Sequence, residues 1–301
     1  MRKILNYLLL AVFIGVILFI SHWVGQLAYS WMPAQGTAEA KDVDEIFSFL
    51  TAIGTFIFLG ITGVIAYSIL TCRAPKGDWS HGHPARGSTK LEILWTVIPT
   101  ILVLWLSVKS LTIYQKLNIQ GLPPVVMHIH TMEEPAVAAE VSKDTKTVGQ
   151  VIDVFAKQWA WSFRYPNNVT SNELHLIVNQ PVSLALHAQD VLHGFFVPEF
   201  RLKQDMVPGR IITLVLTPER VGKYRLHDSQ FSGTYFALME TNVYVESRQA
   251  YNQWLAIAAS REPTVASNKA LTEHNQSSKK IFNSRWDTVK PAEPSIVNYS
   301  A

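Results

Sequence analysis

The side chains with the strongest capacity to hold a metal ion are His193, Asp228 and Met239. Their imidazole and carboxylate groups suit a harder divalent ion, whereas a copper electron-transfer site also needs a soft thiolate. The one cysteine of the chain, Cys72, lies far upstream. Three ligands are hard to assemble here, because His227 precedes Asp228 and successive side chains on a strand point to opposite faces. The residue types therefore predict no metal in this chain, with a residual site at His193 and Asp228 as the alternative.

Two other pairs of residues could do chemistry but have a simpler interpretation. Trp159 and Trp161 would share one face of a strand, where packing in a barrel or at a membrane-facing rim is favoured. An electron relay through them would need an acceptor next to it. His81 and His83 lie in a segment rich in Gly, Pro and Ser, so a solvated turn is favoured over a metal pair.

Three apolar stretches early in the chain are candidates for membrane-spanning helices. A helix needs roughly 20 mostly apolar residues to cross a bilayer, and the candidates are Leu8 to Val24, Ile46 to Leu70 and Leu91 to Val108. The third reaches that length if it continues to Tyr114, and Pro99 within it is tolerable because neighbouring helices can satisfy the freed carbonyl. A buried core helix is the alternative for any one stretch. Three in succession favour a membrane anchor.

The distribution of basic residues predicts how these spans are oriented, because Lys and Arg accumulate in cytoplasmic loops. The loop 71–90 is basic, whereas the segment before the second stretch is mainly acidic. We therefore expect the N-terminus and this loop to be cytoplasmic and everything after about 115 to lie on the periplasmic or lumenal side. Glu92 then lies at the cytoplasmic end of the third span, where a carboxylate is costly unless it reaches water or a partner. A helix N-terminal acid favoured by the dipole is the alternative.

The first apolar stretch has two interpretations. Its basic start, its apolar core and the later Ala38-Glu39-Ala40 resemble a secretory signal, but the core is long and that candidate site lies far beyond it. A retained span is the preferred interpretation, and residues 1–40 are predicted as this span or signal with an external linker. Cys72 falls on the cytoplasmic side, so the chain shows no lipid-anchor signal and its external domain has no disulfide.

The remaining chain divides into a β-rich domain and a polar tail. Residues 41–118 are predicted as a transmembrane helical hairpin and 119–255 as an external all-β domain, because short β-branched or alternating runs are separated by Asn, Gly and Pro. The runs are Val125–His130, Val148–Phe155, Leu174–Val178, Val182–His187, Ile211–Leu216 and Thr241–Val245. The polar segment 256–301 is predicted to be extended or disordered. The net charge of +3 is small and spread out, which gives no case for nucleic-acid binding.

Four blocks of sequence resemble subunit II of the haem–copper respiratory oxidases. Leu91–Pro99 looks like the family's second-helix signature, and Gln158–Tyr165 is similar to its aromatic motif. His193–Arg210 resembles the segment with the first histidine, and His227–Met239 the copper-binding loop. The resemblance extends from about 40 to 255. It implies a membrane α-helical hairpin, preceded by an N-terminal hydrophobic segment and followed by an all-β cupredoxin-like Greek-key barrel.

The resemblance also shows which copper ligands have been replaced. In the family, the loop carries two cysteines, a histidine and a methionine, and a further histidine lies upstream. On this chain the cysteine positions fall on Asp228 and Ser232, and the loop histidine on Phe236. His193 and Met239 keep the ligand type. The resemblance therefore implies the scaffold of the copper domain without its thiolates.

Three further roles are implied by the resemblance alone. The residue matching Trp159 receives electrons from cytochrome c in copper-bearing relatives. The glutamate matching Glu92 lies at the mouth of a proton-uptake channel of subunit I. Gln230 stands where the family has a glutamate that helps to bind magnesium, and an amide oxygen is a poorer ligand.

The expected function follows from the missing copper. Without it, a diffusing protein donor has no efficient route inward, which favours a quinol:oxygen oxidoreductase coupled to proton translocation. The resemblance implies that this loss is shared with bo-type enzymes and with the cyanobacterial alternative respiratory oxidases. The motifs of this chain resemble the cyanobacterial group most. Haems and the oxygen-reducing copper would belong to subunit I, and no cofactor to this chain. Expected partners are subunits I and III, membrane lipid and a quinol bound by subunit I, in a bacterial cytoplasmic or thylakoid membrane. A cytochrome c oxidase with another electron-entry route and a purely structural or assembly protein are the alternatives.

Overall fold

A computed structural model describes residues 2–73, 77, 87–116, 150–277 and 289–300. The predicted strand at Val125–His130 and the His81 and His83 pair lie outside these residues. The chain falls into two compact units, one formed by residues 1–33 and 42–113 and the other by 34–41 and 114–301.

The described part of the first unit consists mainly of three long helices: α1 (Arg2–Trp31), α2 (Ala38–Thr71) and α3 (Thr89–Lys116). All three are long enough and apolar enough to cross a membrane, and their outward side chains are mostly exposed hydrophobics. Each predicted apolar stretch is thus a helix, and each helix extends beyond the stretch at both ends.

Helices α1 and α2 approach each other closely at small residues. The Ser48 hydroxyl donates to the backbone carbonyl of Gly25 at 2.7 Å. A Cβ built on Gly25 would lie 2.9 Å from the Cβ of Ala52, so a larger residue there would force the helices apart. Such small residues at a crossing are typical of helices that pack within a bilayer.

In the described residues of the second unit, two five-stranded sheets have the orders β3-β2-β1-β5-β8 and β4-β10-β9-β6-β7. The strands are β1 (Val151–Lys157), β2 (Ala160–Arg164), β3 (Thr170–Ser171), β4 (Leu174–Ile177), β5 (Val182–Ala188), β6 (His193–Val197), β7 (Leu202–Met206), β8 (Ile211–Leu216), β9 (Gly222–Asp228) and β10 (Glu240–Glu246). Strands β1 and β8 alternate buried and less buried residues. This is the pattern of sheets that face a common core. Inward residues of both sheets form one hydrophobic cluster. The all-β prediction is confirmed.

The linker before α2 packs on this β domain. The Gly36 amide donates to the Glu199 carbonyl at 2.8 Å, and the Ala38 amide to the Thr217 carbonyl at 3.0 Å. Thr37 is buried there. These backbone hydrogen bonds hold residues 34–41 within the second unit.

The C-terminal segment differs from the extended or disordered tail expected for 256–301. Its described residues form the end of α4 (Arg248–Ser260), β11 (Thr264–Val265), α5 (Lys269–Ser277) and β12 (Ile296–Val297). Strands β11 and β12 pair antiparallel, and Val297 and Ala270 are fully buried. A few apolar residues placed along a polar segment are enough to dock it once a core exists.

Candidate functional site

The copper-ligand positions lie at one end of the second sheet and in the loop that follows β9. His193 begins β6 and Asp228 ends β9, and these antiparallel neighbours place Asp228 opposite Phe195. The loop 229–239 then returns to β10, which begins at Glu240. Sequence reasoning placed His193 and Asp228 in one site, and the structure brings them into direct contact.

His193 is completely buried, and both of its ring nitrogens are engaged. Nδ1 lies 2.8 Å from Asp228 Oδ2, and Nε2 lies 2.8 Å from Asp190 Oδ1. Burial lowers the pKa of the His193 ring, but its hydrogen bonds to the two carboxylates outweigh this and raise the pKa above its ordinary value. Two flanking carboxylates thus favour the imidazolium form, in which each ring nitrogen donates.

Asp190 is a site residue that the sequence analysis missed. Burial raises the pKa of its carboxyl group, but the hydrogen bond from His193 and those from backbone amides leave the pKa below its ordinary value. The backbone amide of Gln158 donates to Asp190 Oδ2 at 2.6 Å, and the backbone amide of Val191 donates to Oδ1 at 2.7 Å. Its position three residues before His193 was the available signal.

Asp228 stands at a cysteine position of the family, and each of its carboxylate oxygens accepts two hydrogen bonds. Its side chain is completely buried. Oδ1 accepts from the backbone amides of Gly194 at 2.7 Å and Gln230 at 3.0 Å. Oδ2 accepts from the Ser232 hydroxyl at 2.8 Å as well as from His193. These donors satisfy a buried charge that would otherwise be costly.

The other ligand positions serve packing and hydrogen bonding. The Ser232 carbonyl accepts from Gln158 Nε2 at 2.6 Å and from Trp159 Nε1 at 3.2 Å. Met239 is buried, and its carbonyl accepts from Trp161 Nε1 at 3.1 Å. The half-buried Phe236 ring lies 5.2 Å from that of the exposed Phe231.

The donor set does not fit a copper electron-transfer centre. The thiolate positions hold a carboxylate and a hydroxyl, and neither is a soft ligand. Both ring nitrogens of His193 are hydrogen-bonded to carboxylates, so neither is free to bind a metal in this arrangement. Among the described residues, no cluster of three or more His, Cys, Asp or Glu side chains is placed to hold a metal ion.

Trp159 and Trp161 are both buried. The Trp159 ring packs edge-on against Tyr235 at 5.1 Å, and the Trp161 ring against Phe195 at 6.2 Å. These contacts agree with the packing interpretation. They place Trp159 beside the loop that carries Ser232 rather than beside a thiolate.

Glu92 lies in the first turn of α3. It is exposed within this chain. Its place at a helix N-terminus fits both the dipole interpretation and a proton-entry role.

Comparison with known proteins gives the family. The model for the transmembrane domain of cytochrome c oxidase subunit II matches residues 21–113, and that for the periplasmic domain matches 168–246. Cytochrome c oxidase subunit 2 of Synechocystis is 34% identical over 285 residues, which cover 86% of this chain and 84% of that protein. The chain belongs to the cytochrome c oxidase subunit II family.

Proteins of this family that carry other names are also similar to this chain. Quinol oxidase subunit 2 of Bacillus subtilis is 26% identical over 226 residues, covering 73% of this chain and 64% of that protein. A crystal structure of the periplasmic domain of cytochrome oxidase subunit II from Bradyrhizobium japonicum is 24% identical with a TM-score of 0.35, and covers 36% of this chain and 93% of its own.

Family membership confirms two expectations. The chain is subunit II of a haem–copper oxidase, a component of a respiratory complex that works with subunit I. Its fold class, apolar helices followed by a cupredoxin-like β domain, is also confirmed.

Proposed function

We propose that this chain is subunit II of a terminal oxidase that oxidises a membrane quinol at subunit I and reduces oxygen there. The observation that carries the proposal is the saturated network at the copper position. Asp228 and Ser232 replace the two thiolates, and His193 is held between Asp190 and Asp228. A cytochrome donor would need an electron carrier in this domain, whereas a quinol in the membrane would not.

The relatives' names do not decide the donor. Similar proteins are called cytochrome c oxidase subunit 2 in one case and quinol oxidase subunit 2 in another. The donor depends on whether this particular chain can hold a redox metal, and that is a property of a few residues rather than of the identity over the whole chain. Those few residues favour quinol.

Proton entry is the second part of the proposal. Glu92, at the N-terminus of α3, would lie at the cytoplasmic mouth of a proton pathway of subunit I, with the β domain on the periplasmic or lumenal side of the membrane. The exposed carboxylate is then available to exchange protons with water. The remaining role of this subunit is to anchor and cap subunit I.

Oxygen uptake with two different electron donors distinguishes the quinol proposal from its alternative. The purified complex should consume oxygen with a reduced quinol and not with reduced cytochrome c. Metal analysis of the full chain, purified without subunit I, should find no stoichiometric copper. Turnover with cytochrome c alone, or stoichiometric copper in this chain, would establish the cytochrome c alternative.

Glu92 is tested by Glu92→Gln in the whole complex. Proton uptake and turnover should fall several-fold, because the amide cannot exchange a proton. The control is Glu45→Gln, which removes an exposed carboxyl near the start of α2. If both variants turn over and take up protons like the unmodified complex, Glu92 has no role in proton entry.

A further inference from the structure

Helix α4 covers β4, an edge strand of the second sheet. All four residues of β4 are buried. Leu174 and Leu176 belong to the hydrophobic core, so His175 between them points to the opposite side of the strand, where it meets α4. The buried residues of α4 are Tyr251, Trp254 and Ala258. A single helix with three buried side chains therefore shields this side of β4.

The ring of His175 is the main contact between this helix and the sheet. It stacks on Trp254 of α4 with ring centroids 3.8 Å apart, and on Tyr244 of β10 with centroids 4.8 Å apart. The interplanar angles are 12° and 16°, so both pairs are nearly parallel. The ring of Tyr299 meets His175 edge-on at 6.0 Å. Only 4% of His175 is exposed, and Trp254 forms part of its cover.

The two ring nitrogens of His175 have different surroundings. Nδ1 lies 3.1 Å from Glu246 Oε2, whereas Nε2 is buried and has no hydrogen-bond partner among the residues that the structure describes. A neutral ring suits this arrangement, because Nδ1–H donates to the carboxylate and Nε2 carries only a lone pair. A second proton would create a buried N–H at Nε2 that faces no acceptor there, which is unfavourable.

The acids beside His175 do not stabilise its charged form. Burial lowers the pKa of the ring to about 4 and outweighs the charge of Glu173, which raises it. Glu173 itself accepts from Asn242 Nδ2. Burial also raises the pKa of Glu246 above its ordinary value. As the pH falls, Glu246 is therefore protonated before His175 and offers no carboxylate to the imidazolium.

The other groups around the ring are neutral or positive. Burial raises the pKa of Tyr165 and of Tyr251, so these phenols stay neutral in acid. Two cations lie against the aromatic rings that contact His175: Lys223 at 5.2 Å from the Tyr244 ring and Arg261 at 4.8 Å from the Tyr299 ring. A further positive charge on His175 thus gains nothing from these neighbours.

We propose that protonation of His175 releases α4 from β4 while both sheets stay folded. Once Trp254 leaves the ring, the new N–H at Nε2 can donate to water. The released helix has 13 residues, a length that is marginal in isolation, so α4 loses its helical hydrogen bonds on release. The core between the two sheets stays in place, because Leu174 and Leu176 enter it from the other side of β4. The inference does not depend on the electron donor.

The direction of the pH effect follows from the two forms of the ring. A released His175 binds its proton with the ordinary pKa near 6.5, whereas the covered ring has a pKa of about 4. Docking of α4 is therefore fully favoured above pH 6.5 and weakens as the pH falls toward 4. The ratio of released to docked helix should rise on the order of a hundredfold between pH 7 and pH 4.

Hydrogen exchange of the full chain in neutral detergent, followed by mass spectrometry, tests the proposal. Labelling at pH 7 and pH 4 is compared after scaling the times for the intrinsic exchange rate. Peptides covering α4 should lose protection on the order of a hundredfold at pH 4, and peptides covering β1 and β5 should keep theirs. Protection of α4 that persists at pH 4 would overturn the proposal. Loss of protection in both sheets together with α4 would do the same, because the acid would then unfold the whole domain.

Three variants identify the group that takes up the proton. His175→Phe keeps an aromatic ring but has no proton to bind, so α4 should stay protected at both pH values. Glu246→Gln removes the neighbouring acid and should still release α4 at pH 4. His187→Gln, at a partly exposed histidine of β5, is the matched control and should behave like the unmodified chain.

Either of two results would exclude His175 as the acid-sensitive group. One is release of α4 at pH 4 in His175→Phe to the same extent as in the unmodified chain. The other is protection of α4 at pH 4 in Glu246→Gln, which would assign the effect to Glu246. Far-ultraviolet circular dichroism at pH 7 checks that His175→Phe folds, and Glu246→Gln tests the proposal even if it does not.

Discussion

Asp228 shows how a single substitution can turn a metal position into a structural one. A buried carboxylate is expensive without partners, and this one has four donors, from Gly194, Gln230, Ser232 and His193. The Asp228 carboxylate stands in place of a soft thiolate ligand, and it also accepts a hydrogen bond from His193. The site is a buried ionic network that holds the loop to β6 and β9.

Asp228→Asn should destabilise the β domain by about 3 kcal/mol, because removing one member of a buried pair leaves an uncompensated charge. The amide cannot accept from every donor now directed at Asp228. The measurement is the denaturant-induced unfolding of the full chain followed by tryptophan fluorescence. Asp205→Asn, at a half-exposed acid on β7, is the matched control and should change stability by less than about 0.5 kcal/mol. Equal effects of the two variants would mean that the network adds nothing to stability.

His175 should make the domain sensitive to acid. It is buried, stacks on Trp254 at 3.8 Å and on Tyr244 at 4.8 Å, and its Nδ1 lies 3.1 Å from Glu246. Burial lowers the pKa of the ring to about 4, so the contact with Glu246 at neutral pH is a hydrogen bond from a neutral ring rather than an ion pair. Because the unfolded chain binds this proton more readily, stability is full above the ordinary pKa near 6.5 and falls as the pH drops toward 4.

The contribution of His175 to this loss should be about 3 kcal/mol, at about 1.36 kcal/mol per pKa unit. Unfolding free energies between pH 7 and pH 4 measure it, as the difference between the unmodified chain and His175→Gln. His187→Gln, at a partly exposed histidine of the other sheet, serves for comparison. If His175→Gln loses stability between pH 7 and pH 4 as steeply as the unmodified chain does, the buried ring is not the acid-sensitive group.

At the scale of elements, local patterns predicted the three long helices and five of the described strands, β1, β4, β5, β8 and β10, because long apolar runs and alternating β-branched runs are local signals. It did not predict α5, β11 and β12. A nine-residue helix is marginal in isolation, and α5 depends on the Asn268 cap and on the burial of Ala270. Such contacts join segments far apart in the chain, and a local pattern does not contain them.

The crossing of α1 and α2 gives a test at this scale. Gly25→Leu should destabilise the helix pair by about 1–3 kcal/mol, since the added side chain overlaps Ala52 and the backbone of Ser48. Gly15→Leu in the same helix has open space around its Cβ and should have little effect. Thermal melts of the full chain in detergent, followed by far-ultraviolet circular dichroism, compare them. Equal melting temperatures for the two variants would contradict close packing at Gly25.

At the scale of the whole molecule, the fold of the copper domain persists while its ligand set does not. Both sheets enclose one core, and the buried tryptophans are hydrogen-bonded to the loop. A functional subunit II without copper is thus compatible with an intact domain. The proposal of a quinol donor requires both an intact β domain and the loss of its copper ligands.

Restoring the ligands should restore metal binding. Asp228→Cys, Ser232→Cys and Phe236→His in one chain would supply two thiolates and an imidazole beside His193 and Met239, which is a soft donor set for copper. We expect about one to two copper ions to be retained per chain by metal analysis after desalting. The control combines Asp228→Ser and Ser232→Ala with Phe236→His and should retain none. Equal copper in both would show that the thiolates do not determine binding.

The sequence alone determined the membrane anchor, the family and the absence of thiolates at the copper positions, because these depend on residue type and order along the chain. The tertiary structure decided how His193 is used, since Asp228 reaches Nδ1 only after β6 and β9 pair, whereas Asp190 reaches Nε2 from three residues upstream. It also decided that the C-terminal segment folds onto the sheet and that α4 covers His175 of β4. Both results depend on contacts between segments distant in sequence, and packing, not composition, brings those segments together.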